Sequence, residues 1–237
     1  MSEKRYVDED LSDLETKELM ENLPSYFEDL GDIYKTAILN WRFESDREIE
    51  SQFYEMGKAY FNTSLILIDM CLADNHDHKA DTWIFPIMFN VVHGIEVYLK
   101  GFNSQYKIYT KMQKQEYQES KIEGNHDIRQ LCQGAMKLVK DNNDKELYNE
   151  LNFVKKFIDI LYENTDDMTF ARYPVTSKGA KHFYVEEKKN VTIDLDVFKQ
   201  WVLRIYKILE SCTFIKIEID QIKEWLYEMQ QEYGYDF

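Results

Sequence analysis

Glycine and proline are scarce in this chain, at 8 and 3 of 237 residues. Turns draw heavily on both, so their shortage argues against a many-stranded β fold and for long helices with few tight turns. Cysteine is nearly as rare. Cys71, Cys132 and Cys212 are odd in number, far apart and set among apolar residues at helical spacing. That pattern predicts three buried, reduced thiols in a cytoplasmic protein rather than a disulfide framework, a metal cluster or a catalytic thiol. Basic residues are outnumbered, 29 Lys and Arg against 44 Asp and Glu, giving a formal net charge of −15. Such a charge opposes adventitious binding to nucleic acid or anionic membrane, while leaving room for a local basic pocket. No apolar run of about 18 residues is free of charge, so no membrane-spanning helix is expected. The acidic start, MSEKRYVDEDLSDLE, has no signal-peptide core. Glycine patterns for dinucleotide or phosphate loops are missing, as are the H-E-x-x-H zinc helix and the G-x-S-x-G elbow.

Apolar material, by contrast, is ample. Hydrophobic residues make up 44% and aromatics 15%, enough for a sizeable core. The longest apolar run is IFPIMFNVVHGIEVYLK, Ile84–Lys100. Pro86 suits a first helical turn, so the run reads as a helix from there. Met88, Val92, Ile95 and Leu99 form one stripe and Ile84, Ile87, Val91 and Tyr98 another, which places this helix in the middle of a bundle. One narrow strip is ionisable: His93, Glu96 and Lys100 stack on a single face. Buried ionisable groups need partners, because an unpaired buried charge is costly.

Around this run the chain reads in order as follows. An acidic lead-in covers residues 1–22, and a helix over 23–41 follows Leu23-Pro24-Ser25. Ser45 or Asp46 is placed to cap a long helix, with Ile49, Phe53, Met56, Tyr60, Leu67 and Cys71 on one side, ending near Ala73. The loop Ala73–Asp81 holds His76, His78 and three aspartates, a composition able to ligate a cation. Lacking a second ligand cluster, it reads as a solvated loop, and no metal is expected. Residues 103–123 are polar and mixed in charge, and read as an exposed extension or a mobile helical insertion. Gly124-Asn125-His126-Asp127 opens a helix with Leu131, Cys132, Ala135, Met136, Leu138 and Val139 inward. Asp141–Asp144 is a turn, and Leu147, Leu151, Val154, Phe157, Ile158 and Leu161 mark the next helix. Two alternating segments, His182–Val185 and Val191–Leu195, predict a small β-hairpin. A helix from Asp196 carries Phe198, Trp201, Val202, Ile205, Ile208 and Leu209. Phe214–Ile219 alternates and is readable as strand or helix, and Asp220 caps a last helix. The expected fold is mainly α: one helical bundle with a small β-hairpin, at about 181–195, inserted before the penultimate helix. On this reading 1–237 is a single domain, with an N-terminal helical extension over 1–45, a bundle core over 46–212 and a C-terminal extension over 213–237.

The residues able to carry chemistry are His93, Glu96, Lys100, His126, Asp127, Arg172, Tyr173 and His182. Histidine exchanges a proton near neutral pH, arginine grips a phosphate with two donors, and lysine neutralises developing charge. A pocket joining them would suit a phosphodiester or nucleotide. An internal network accounts for the same residues: Glu96 paired with Lys100, His93 bonded to a carbonyl, and Arg172 closing the buried end against Glu96.

The order FPIMFNVVHGIEVYLK, then GNHDIRQL, then FARYP with a hairpin before a final helix, resembles HEPN-type helical domains of bacterial toxin and phage-defence systems. The resemblance covers about residues 46–212. It implies a four- or five-helix bundle, frequent homodimers and, in active members, metal-independent RNA cleavage at the dimer interface. That cleavage relies on Arg followed after four to six residues by His on one helix. This chain has no such pair, since nine residues separate Arg172 from His182 and the expected hairpin lies at that point. The resulting expectation is a non-catalytic or regulatory HEPN-like interaction module of a bacterial or phage conflict system, cytoplasmic, homodimeric and acting through a protein partner. A divergent metal-independent endoribonuclease using His93, His126, Arg172 and His182 is the alternative, and a nucleotide or small-ligand domain a third. None of these readings calls for a cofactor or a membrane.

Overall fold

Residues three and four apart along Tyr54, Gly57, Phe61, Ser64, Ile68 and Cys71, most of them apolar, face inward and define α1, Ile49–Ala73. The computed structural model describes residues 49–237 apart from 115, 117–120, 166–167, 174, 177, 183–190 and 234–237, and before residue 49 only positions 34 and 37. By internal contacts the chain divides into Met1–Glu44 and Ser45–Phe237. The first unit is described only at Tyr34, exposed in a turn, and at Ala37. The expected lead-in, the rest of the 23–41 helix and the Ser45/Asp46 cap lie outside the described residues.

In the second unit α2, Ala80–Met112, runs antiparallel to α1, as the pairings Tyr54–Gly101, Gly57–Tyr98, Phe61–Gly94 and Ser64–Ile87 show. Glycine is what permits the approach. A Cβ on Gly57 would meet Tyr98 Cε2 at 2.7 Å, and one on Gly101 would lie 3.0 Å from the Tyr54 ring and 3.3 Å from the Glu50 carbonyl. Ile87, Val91, Ile95, Tyr98 and Leu99 are buried, and Val92 is half-buried.

This helix departs from the sequence reading at both ends. It starts at Ala80, whose N–H donates to Asn75 Oδ1 at 2.9 Å, so Pro86 lies inside it. Proline has no N–H, and the Thr82 carbonyl goes without that helical bond. At the far end the helix continues to Met112, and Asn103, Ser104, Gln105 and Tyr106 are buried rather than exposed. By length and composition α2 is also long and apolar enough to cross a membrane, which the sequence reading did not expect; 56% of its qualifying stretch is buried inside the protein.

α3, Ile128–Asp141, follows the expected opening at residues 124–127; Asp127 lies just before it as the N-cap, its carboxylate accepting from the Arg129 and Gln130 N–H groups. Asn143, at φ 59°, turns the chain, and Asp144 caps α4, Lys145–Tyr162. A 3-10 turn at Met168–Ala171 buries Phe170. α5, Leu195–Ser211, is capped by Asp194 and buries Phe198, Val202, Ile205, Ile208 and Leu209. A second 3-10 turn, Cys212–Phe214, leads into α6, Ile215–Tyr233. The alternating stretch is therefore helical. Ile215 and Ile219 are buried one turn apart and Ile217 is exposed.

The described part is thus a mainly α helical bundle, and the described residues contain no strand. Most of the expected hairpin falls on 183–190, outside the described residues. Near it lie an isolated antiparallel bridge between Val175 and Lys181 and a non-helical lead-in over 191–194.

Candidate functional site

The ionisable strip of α2 converges with the segment that leads into α3. Lys100 Nζ lies 2.9 Å from Glu96 Oε1 along the helix. His126 Nδ1 reaches the same oxygen at 2.8 Å, and His93 Nδ1 lies 3.4 Å from Oε2. Lys100 Nζ and His126 Nδ1 are 3.4 Å apart around their shared acceptor. Burial alone would raise the Glu96 carboxyl, but hydrogen bonds from His93, Lys100 and His126 outweigh it and hold the group at about 2. Glu96 and Lys100 are buried, whereas 79% of the His126 side chain is exposed. The His93 ring stands edge-on to Tyr60, with centroids 4.7 Å apart, and is stacked with Phe89.

His126 is held there by a segment laid along α2. The Lys121 N–H donates to Ser104 Oγ at 3.1 Å, and Ser104 donates to the buried Glu50 carboxylate at 2.7 Å. Lys107 pairs with Glu123 at 2.5 Å. Farther in, Tyr54 donates to Gln105 Oε1 at 2.8 Å, and Asn103 Nδ2 donates to the Leu131 carbonyl at 3.1 Å.

Asp127 adjoins this cluster but serves α3. Its Oδ1 accepts from the Arg129 and Gln130 N–H groups and from the Tyr162 hydroxyl, and its Oδ2 from the Gln130 side chain. Arg129, which sequence reasoning did not select, sets its guanidinium 3.7 Å over the Tyr162 ring. Tyr162 lies 33 positions downstream, beyond the reach of any periodicity signal.

The remaining candidates are not drawn in. Arg172 is exposed beside Tyr173, itself 57% exposed, and Glu96 takes its partners from His93, Lys100 and His126 instead. The expected Arg172–Glu96 closure is absent because α2 already supplies a lysine one turn away. His182 is buried, edge-on to Phe170 with centroids 6.4 Å apart. The eight candidates therefore separate into a joined set (His93, Glu96, Lys100, His126), a helix cap (Asp127), a surface pair (Arg172, Tyr173) and an isolated buried imidazole (His182).

In the 73–81 loop, His76 Nδ1 bonds Asp74 at 2.8 Å, Asp77 accepts the Lys79 N–H, and His78 takes φ 58°. Among the described residues no group of three or more His, Cys, Asp or Glu side chains is arranged to hold a metal ion. The three cysteines are buried and unpaired. Burial pushes the Cys132 thiol up to about 12 and raises Cys71 and Cys212 as well. An apolar groove of about 240 Å³ opens between α4 and α5, where Phe157, Ile160, Val197 and Trp201 contribute. No family model, no curated protein and no solved structure matches this chain.

Proposed function

We propose that this chain is a non-catalytic, regulatory HEPN-like interaction module of a bacterial or phage conflict system. In this reading it is cytoplasmic, assembles as a homodimer through helical faces and acts on a protein partner. The observation that carries the non-catalytic part is the saturation of Glu96. Its two oxygens take Lys100, His126 and His93, so the ionisable strip of the central helix is used for internal pairing. Two features support it: no Arg precedes a His by the four to six residues that active members use, and Arg172 and His182 lie apart from the cluster. The buried thiols accord with a reducing compartment.

One observation favours the ribonuclease alternative. His126 is the most exposed member of the cluster, and a carboxylate orients its ring through Nδ1, an arrangement general bases share. Incubation of the pure protein with RNA in chelator separates the two readings. The interaction reading expects intact RNA. Cleavage that disappears in a well-folded His126→Ala variant refutes it. If the protein contacts phosphates at all, affinity falls steeply with added salt.

A further inference from the structure

The bond that orders His126 also decides which of its nitrogens is reactive. An ionised carboxylate only accepts, so Nδ1 must bring the hydrogen that spans the 2.8 Å to Glu96. The lone pair of the neutral ring then sits on Nε2, in a side chain that is 79% exposed. A fixed tautomer with an open Nε2 is the state in which imidazole acts as a nucleophile.

Three residues on, Arg129 supplies a second element. Its guanidinium rests on Tyr162, its Nε is buried without a hydrogen-bond partner, and among the described residues no carboxylate pairs with it. Without a carboxylate partner, its planar fork is open to phosphoryl oxygens, whose geometry it matches. Asp127 stands between the two residues. Its oxygens are already engaged by the Arg129 and Gln130 N–H groups, the Tyr162 hydroxyl and the Gln130 amide.

We propose that His126 is a phosphoryl-acceptor site: Nε2 attacks the phosphorus of an activated donor of the acyl phosphate class, Glu96 holds Nδ1–H, and Arg129 receives the phosphoryl oxygens. The N–P bond forms as the donor's P–O bond breaks, and the carboxylate leaves with the electron pair. Nε2 carries no proton to remove. The positive charge gained by the ring faces Glu96 through Nδ1–H, so the acceptor needs no added base. A phosphoryl group here adds negative charge beside the segment that ties α3 to α2, a local change able to switch an interaction surface. The chemistry does not depend on the interaction reading, because it requires no partner protein.

The test uses the full chain with acetyl phosphate as the probe and maps phosphohistidine by peptide mass spectrometry without acid. His76 is a built-in control. Its Nδ1 makes the same 2.8 Å contact, but to Asp74, whose side chain is 54% exposed, and its loop contains no arginine. We expect His126 to react at least about tenfold faster than His76, a difference of about 1.4 kcal/mol in barrier. His126→Asn should remove that adduct alone. Arg129→Ala should slow His126 and leave His76 unchanged. Equal rates at the two histidines, or an Arg129→Ala variant that keeps the full preference for His126, overturn the proposal.

Discussion

Gly57 lies against the ring of Tyr98, the closest of the glycine contacts between α1 and α2, and a Cβ there would stand 2.7 Å from Cε2. Tyr98 cannot retreat, since Tyr54, Phe61 and Tyr206 surround its ring at centroid distances of 5.7, 6.0 and 6.4 Å. Alanine would gain about 1 kcal/mol of helix propensity over glycine. Overpacking costs about 1–3 kcal/mol. Gly57→Ala should therefore lower stability in chemical denaturation, and a variant more stable than the parent would show that the two helices separate freely.

Glu96 sets an acid limb. Its carboxyl titrates near 2 in the fold against an ordinary 4.5, so the folded state holds the anion more tightly than the unfolded chain does. The stability this gives is complete above about 4.5 and is lost as pH falls towards 2. Glu96→Gln should flatten that limb in pH-dependent unfolding. It should also cost about 3–5 kcal/mol at pH 7, because Lys100 is left buried without its carboxylate. An unchanged acid limb would place the titration elsewhere.

Arg172 gives the opposite expectation. With its side chain at the surface beside Tyr173, Arg172→Ala should stay within about 0.5 kcal/mol of the parent in thermal melts. A larger loss would reveal a buried partner.

Homodimerisation is read from solution mass. Light scattering at micromolar concentration should give twice the 28.6 kDa of the chain. The monomer mass, unchanged on tenfold concentration, would exclude that part of the proposal.

The sequence is most informative where structure is local. The end of α1 at Ala73, the helix opening at residues 124–127 and the turn at Asn142-Asn143 are local: Asp127 accepts from the N–H groups just after it, and the Asn142 amide donates to the Leu138 carbonyl. Pro86 misleads because a proline tolerated nearly two turns into a helix carries the same code as one that opens it. Asn103, Ser104 and Gln105 read as solvent-facing. Their partners Leu131, Glu50 and Tyr54 lie 28, 54 and 51 positions away, so only the packed chain shows which groups they bond. Ile215 and Ile219 alternate with polar residues and are also four apart, a spacing that strand and helix share. At the site, stacking on one helix foretold the Glu96–Lys100 pair. The approach of His126 and the Arg129–Tyr162 contact required tertiary structure.

The burial of the three thiols has a practical corollary. Cys71 closes α1, Cys132 lies within α3, and Cys212 follows α5, each almost fully covered and held protonated by its surroundings. An alkylating reagent can reach them only when their part of the bundle opens. Their separate labelling rates therefore act as three clocks on one molecule. Equal rates would mean that the bundle opens as a unit, and unequal ones would rank its helices by how readily each comes away.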